Sequence, residues 1–88
     1  MTEKLLTVQN RLGLHARPAA LVVGEASKYR SEIVLSKDGV EINAKSIMGV
    51  MMLAAEMGSS ILVTASGEDE QQAIAAIEAL FAAKFDED

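Results

Sequence analysis

Apolar residues recur along this 88-residue chain with two alternating periods, and the alternation constrains its fold more than any other feature. A two-residue period, typical of strands, occurs in residues 4–9, 32–36, 40–43 and 60–66. A helical period of about 3.6 residues occurs in residues 16–28, in residues 47–54 and in the segment that follows Asp69. The predicted order of elements is therefore βαββαβα, with short connections throughout.

A hairpin turn is predicted at residues 37–39 (KDG), between the second and third strands. An Asp-Gly pair between two alternating segments favours a tight turn, so these two strands must run antiparallel. Helices that pack on one face of an antiparallel sheet give an α+β fold. We therefore predict an open-faced β-sandwich, in which a four-stranded antiparallel sheet carries three helices on one face and meets water on the other.

The predicted core is aliphatic, because half of the residues are apolar but only 3% are aromatic. The residues assigned to it are Leu6, Val8, Ala19, Val22, Val23, Ala26, Val50, Leu53, Ala54, Ala73, Ile74, Ile77, Leu80 and Phe81, with Ile61, Val63 and Ala65 on one face of the last strand. Ser46 is predicted to cap the start of the second helix, and Gly58 to end that helix. Asp69 and Gln72 form a capping-box pattern at the start of the last helix.

Composition argues against several classes of function. With no cysteine and a single histidine, the chain lacks the ligands for disulfides or for a tetrahedral metal site. A net charge of -5 argues against binding to nucleic acid or to an anionic membrane. No apolar run approaches the roughly 20 residues of a membrane span, and residues 1–4 lack the pattern of a signal peptide. We expect a cytoplasmic, monomeric protein with one domain over residues 1–88, without metal or cofactor.

His15, the only histidine, lies where a loop passes into the first predicted helix. Helix N-termini present free N–H groups and the positive end of the helix dipole, so the backbone amides of Ala16 and Arg17 are expected to bind a phosphate. The Arg17 guanidinium adds a planar set of donors, and Pro18 is tolerated in a first turn. A lone histidine at a helix start is more often a surface cap. Its neighbours here favour a phosphate-handling site with a histidine nucleophile.

The second helix is predicted to expose an apolar patch. If Val50, Leu53 and Ala54 face the core, the opposite side of the helix presents Ile47, Met48, Met51 and Met52. Ala20 and Leu21 of the first helix are expected to extend this surface. Exposed apolar patches on small proteins tend to be binding sites, and methionine suits a surface that packs against several partners. The alternative is that some of these methionines fill the core.

Residues 13–18 (GLHARP) and 45–50 (KSIMGV) resemble the active-site signature and the regulatory-serine segment of one family, the histidine-containing phosphocarriers (HPr). These proteins belong to the bacterial phosphoenolpyruvate-dependent phosphotransferase system, and the resemblance covers the whole chain. It implies that His15 accepts a phosphoryl group on Nδ1 from phosphorylated enzyme I. It also implies that His15 passes this group to an enzyme IIA domain for sugar uptake and phosphorylation, while Arg17 stabilises the phosphate. The protein is thus expected to be a carrier rather than an enzyme.

Ser46 has two interpretations. Serine before a helix is commonly an N-cap. The resemblance implies, in addition, regulatory phosphorylation of Ser46 by an HPr kinase/phosphorylase. One alternative function is a regulatory binding module, in which phospho-Ser46 recruits a transcription regulator. Another is the nitrogen-related branch of the family. Residues 85–88 (FDED) resemble that branch, whereas residues 46–48 (SIM) resemble the sugar branch. Gly24 departs from the family pattern, in which many members carry a basic residue there.

Overall fold

The computed structural model describes residues 1–87 and contains the predicted elements in the predicted order. The strands are β1 (Thr2–Thr7), β2 (Glu32–Lys37), β3 (Val40–Asn43) and β4 (Ser60–Ser66). The helices are α1 (Ala16–Ala26), α2 (Ile47–Met52) and α3 (Glu70–Ala82), followed by a 3₁₀ turn at Lys84–Asp86. The α+β class and the βαββαβα order are confirmed. Asp88, the last residue of the acidic segment noted above, lies outside the described residues.

The four strands form one antiparallel sheet in the order β1-β4-β2-β3. Alternate side chains of β2 and β4 and Leu6 of β1 are buried beneath the helices, whereas no residue of β3 is fully buried. The buried cross-strand pairs are Leu6 with Ile61, Leu35 with Val63 and Ile33 with Ala65. On the opposite face Leu5 is 64% exposed. The sheet thus has one covered face and one face in water, as an open-faced sandwich requires.

The core is aliphatic apart from one aromatic pair near the end of the chain. Phe81 of α3 meets Phe85 edge-on, with ring centroids 5.0 Å apart, and both rings are buried. To place Phe85 there, the backbone is left-handed at Lys84, Phe85 and Asp86, with φ of 53°, 55° and 58°. Left-handed conformation costs a non-glycine residue about 1–2 kcal/mol, and burial of the Phe85 ring offsets this cost.

The predicted boundaries of β1 and α1 need small corrections. β1 begins at Thr2 and ends at Thr7, whereas the prediction was residues 4–9. Val8 is buried as predicted, but it lies beyond the strand and exchanges hydrogen bonds with Ser59 and Gly58. α1 ends at Ala26 instead of residue 28, because the next amide bonds tighten to the three-residue spacing of a turn.

The prediction that α2 extends to residue 54 and ends at Gly58 is wrong. The helix ends at Met52, and Ala54 is exposed with φ of 48°, so Ala55 replaces it in the core. The cause is a tertiary contact. Leu14 donates its N–H to the Ala55 carbonyl at 2.8 Å, which draws this segment out of the helix toward the loop before α1.

The predicted capping box at α3 is also wrong. Asp69 occupies the N-cap position, but its carboxylate accepts hydrogen bonds from Arg30 N–H at 2.9 Å and from Ser31 N–H and Oγ at 3.0 and 2.5 Å. Partners in the loop between α1 and β2 thus replace the local cap. Of the assigned core residues, Val23 and Leu80 are only partly buried.

Candidate functional site

His15 is the N-cap residue of α1, and its side chain is 37% exposed. Its carbonyl accepts the first intrahelical hydrogen bond, from Ala19 N–H at 2.9 Å. The amides of Ala16 and Arg17 precede that bond and therefore have no acceptor within the helix. The imidazole and these N–H groups share one helix end, which also carries the positive end of the dipole.

The loop before His15 is fixed by a close backbone contact. Gly13 has φ of +69°, and a Cβ built on it would lie only 2.3 Å from the Ala55 carbonyl oxygen. Only glycine fits this approach. Together with the hydrogen bond from Leu14 N–H to the same carbonyl, it sets the position at which the chain enters α1.

Glu87, which sequence reasoning missed, is the direct partner of the His15 ring. Nε2 of His15 lies 2.9 Å from Oε1 and 3.3 Å from Oε2 of this carboxylate. Asn10, which is fully buried, donates from Nδ2 to Glu87 Oε1 and to the Gly13 carbonyl, both at 2.8 Å. The hydrogen bond from His15 and then that from Asn10 lower the pKa of Glu87, and the Arg17 charge contributes in the same direction.

This contact constrains the tautomer of His15. An ionised carboxylate only accepts hydrogen bonds, so the ring nitrogen that faces Glu87 must donate. A neutral imidazole carries one N–H, which this geometry places on Nε2. Its lone pair is then on Nδ1.

Arg17 lies in the first turn of α1 and is exposed. Within residues 1–87 its guanidinium has no hydrogen bond or ion pair, so it is available to an incoming anion. Arg17 follows His15 by two residues in the chain, and no hydrogen bond or ion pair joins their side chains within residues 1–87. Ala16, next to both, is exposed.

The exposed apolar surface of α2 forms as predicted, and we call it the methionine patch. Its members are Ile47, Met48, Met51 and Met52, with exposures of 43%, 73%, 46% and 71%. The alternative that these methionines fill the core is wrong. Of the predicted extension, Ala20 is exposed, whereas Leu21 is partly buried against the core. Leu12, which is 72% exposed in the loop before His15, was not predicted.

Ser46 caps α2 as predicted, because its Oγ accepts a hydrogen bond from Gly49 N–H at 3.1 Å. Ser46 is half-buried at the start of the helix that carries the methionine patch. The neighbouring Lys45 ammonium donates to the Tyr29 carbonyl at 2.7 Å and so ties this helix start to the loop after α1.

In the described part of the chain, no group of three or more histidine, aspartate and glutamate side chains could hold a metal ion. Over the same residues no helix has the length and apolar character needed to cross a membrane.

A family model described as the PTS HPr component phosphorylation site matches residues 2–83. The chain belongs to the HPr family. An HPr from Treponema pallidum (strain Nichols) is 51% identical over 88 residues, a match that covers all of both chains. The phosphocarrier protein NPr of Proteus mirabilis (strain HI4320) is 45% identical over 84 residues, 94% of this chain and 93% of that protein. The crystal structure of an HPr from Thermoanaerobacter tengcongensis matches with a TM-score of 0.97 at 46% identity, over 100% of this chain and 99% of that one.

Family membership confirms the resemblance drawn from residues 13–18 and 45–50. As a member of the HPr family, the chain is a phosphocarrier of the phosphotransferase system and not a catalytic enzyme. The fold agrees with this assignment, since the sheet and three helices are those of the matched HPr structure.

Proposed function

We propose that the chain accepts a phosphoryl group on Nδ1 of His15 from phosphorylated enzyme I and passes it to an enzyme IIA domain. The observation that carries this proposal is the contact between His15 Nε2 and the Glu87 carboxylate at 2.9 Å. It leaves the other ring nitrogen with a lone pair, on a half-exposed side chain at a helix N-terminus.

The groups around His15 suit a carrier that must both accept and release phosphate. The amides of Ala16 and Arg17 and the positive end of the α1 dipole stabilise the dianion, and the exposed guanidinium of Arg17 adds a charge-assisted contact. Groups that stabilise the phosphoryl group in the transition state speed its transfer in both directions. One arginine and two amides hold phosphate weakly enough for it to move on.

The methionine patch, with Ala20 and Leu21, is the proposed docking surface for both partners. α1, which carries His15, packs directly against α2, so the patch and the phosphoryl acceptor lie on adjoining elements. Each partner must reach the same histidine, and one apolar surface can therefore serve both. The protein needs no metal or cofactor for this role, acts in the cytoplasm, and is proposed to work as a monomer over its single domain.

Regulation at Ser46 is a second candidate function, and the position of this hydroxyl favours it. Ser46 begins α2, so a phosphate added there by an HPr kinase/phosphorylase would border the methionine patch. The new charge would hinder docking of enzyme I and could be read by a transcription regulator. Whether the relay serves sugar uptake or the nitrogen-related branch depends on which enzyme IIA accepts the phosphate.

The test is a two-step transfer with purified components. The chain is incubated with phosphoenolpyruvate, magnesium and enzyme I, and its mass is measured before and after an enzyme IIA domain is added. We expect one acid-labile phosphoryl group that is lost to enzyme IIA. A chain that takes no phosphate, or takes only an acid-stable one, contradicts the proposal.

A further inference from the structure

We propose that Glu87 is a positioning residue, which holds the His15 ring with its lone pair on Nδ1 and faces the positive charge that phosphorylation places on the ring. The inference rests on the proposed function of His15. It assigns a role to a residue 72 positions away from His15 in sequence, outside residues 13–18 and 45–50.

The carboxylate is fixed at His15. Its side chain is only 15% exposed, and both of its oxygens lie within 3.3 Å of Nε2. Asn10 holds it from the other side, because its two Nδ2 hydrogens go to Glu87 Oε1 and to the Gly13 carbonyl. Within residues 1–87 the buried Asn10 Oδ1 has no hydrogen-bond partner. A buried amide that leaves its acceptor unpaired while both hydrogens are used indicates that the donor contacts determine its orientation.

The turn at Lys84–Asp86 positions Glu87 beside His15. Three consecutive left-handed residues turn the chain back after α3, and the Phe85 ring anchors the turn in the core against Phe81. The next residue is Glu87. Backbone strain of this kind persists only where the surrounding structure enforces it, and it recurs at functional sites.

The contact between Glu87 and His15 matters during phosphoryl transfer to the ring. The Nδ1 lone pair forms the N–P bond while the bond between phosphorus and the donor's phosphorylated group breaks, and the donor keeps that electron pair. The Nε2 proton stays in place, so the ring gains positive charge as the new bond forms. The negative Glu87 carboxylate, 2.9 Å from Nε2, stabilises that positive charge. It is already in place, so no solvent or partner group has to reorganise.

The test compares Glu87→Ala and Glu87→Gln with Glu68→Gln, an exposed glutamate outside the Lys84–Asp86 turn whose substitution changes net charge as Glu87→Gln does. Imidazole 15N shifts of the unphosphorylated proteins report the tautomer. We expect the Nε2–H form almost alone in wild type and Glu68→Gln, and a mixture of tautomers in Glu87→Ala. Because a glutamine oxygen can still accept the N–H bond, Glu87→Gln should keep the tautomer and lose only the charge.

Transfer from enzyme I is measured on the same four proteins. We expect it to fall about tenfold in Glu87→Ala, by less in Glu87→Gln, and to stay at the wild-type rate in Glu68→Gln. A wild-type tautomer ratio in Glu87→Ala overturns the inference, and so does a wild-type transfer rate in that variant. Failure of wild-type protein to accept phosphate would overturn the proposed function instead, and the tautomer measurement does not depend on it.

Discussion

His15 is held through its backbone by a nearby loop and through its ring by a residue near the other end of the chain. The loop contact depends on Gly13, which alone can approach the Ala55 carbonyl so closely. The ring contact depends on Glu87 and on Asn10 behind it. The sequence predicts His15 and Arg17 because a helix start with a basic residue is a local pattern. It does not predict Glu87, because that contact requires the left-handed turn that buries Phe85.

Arg17→Ala is expected to slow phosphoryl transfer about tenfold or more in both directions while weakening docking less. Its guanidinium makes no hydrogen bond or ion pair within residues 1–87, so we expect it to act mainly through contact with the moving phosphoryl group. Rapid-quench transfer rates and equilibrium titrations with enzyme I separate the two effects. Lys28→Ala, which removes an exposed cation beyond the other end of α1, is the control. An unchanged transfer rate with weaker binding would make Arg17 a docking residue only.

Among the elements, α2 carries most of the proposed interaction chemistry. Its apolar spacing predicts which side faces the core and which side is exposed, and Val50, Leu53 and the methionine patch lie as predicted. Its end was not predictable from spacing, because the hydrogen bond from Leu14 to Ala55 and the exposed left-handed Ala54 arise from packing against another loop. Local patterns thus locate this helix, while a tertiary contact sets its length.

Met48→Glu is expected to weaken binding of enzyme I and of enzyme IIA together, each by about tenfold or more. A carboxylate buried at an apolar interface loses hydration that nothing there replaces. Isothermal titration with each partner measures the effect. Met57→Glu is a matched control, since Met57 is 56% exposed but lies outside the methionine patch. Normal affinity of the Met48 variant for both partners would exclude Met48 from the interface.

Ser46→Asp is expected to slow transfer from enzyme I while the fold stays intact. A negative charge at a helix N-terminus is favourable for the helix, yet here it borders the methionine patch. Ser46→Ala, by contrast, loses the bond to Gly49 N–H and about 1 kcal/mol of stability but keeps a wild-type transfer rate. Transfer assays paired with thermal melts distinguish the two variants. A Ser46→Asp protein that transfers normally, or one that is slow because it is unfolded, contradicts the blocking mechanism.

The start of α3 predicts a pH dependence of stability. Hydrogen bonds from Ser31 Oγ and then Arg30 N–H lower the pKa of Asp69 to about 2 from an ordinary value of 3.8. Because the folded-state pKa is the lower one, the ionised carboxylate contributes stability above about pH 4, and this contribution is lost as the pH falls toward 2. Urea unfolding should therefore show wild type more stable than Asp69→Asn at pH 6, with the difference shrinking toward pH 2. A constant difference across that range would contradict this assignment, and Glu68→Gln, an exposed neighbour, serves as the control.

For the molecule as a whole, periodicity and one hairpin signal were enough to predict the fold class and the order of elements. They follow from which face of each element is apolar, and the buried cross-strand pairs confirm those faces. The placement of residues 84–87 did not follow from any pattern, since nothing local indicates three left-handed residues in a row. The single apolar Phe85 within a charged segment was the one available sign that this end of the chain is anchored.

The central claim is that His15 is the residue of this domain that accepts the phosphoryl group from enzyme I, and His15→Ala tests it most directly. With phosphoenolpyruvate, magnesium and enzyme I, the variant is expected to take no acid-labile phosphate, while circular dichroism and its melting curve show a folded protein. Ser46→Ala, which removes the other proposed phosphorylation site, should accept the acid-labile group as wild type does. Acid-labile phosphate retained on folded His15→Ala would contradict the account.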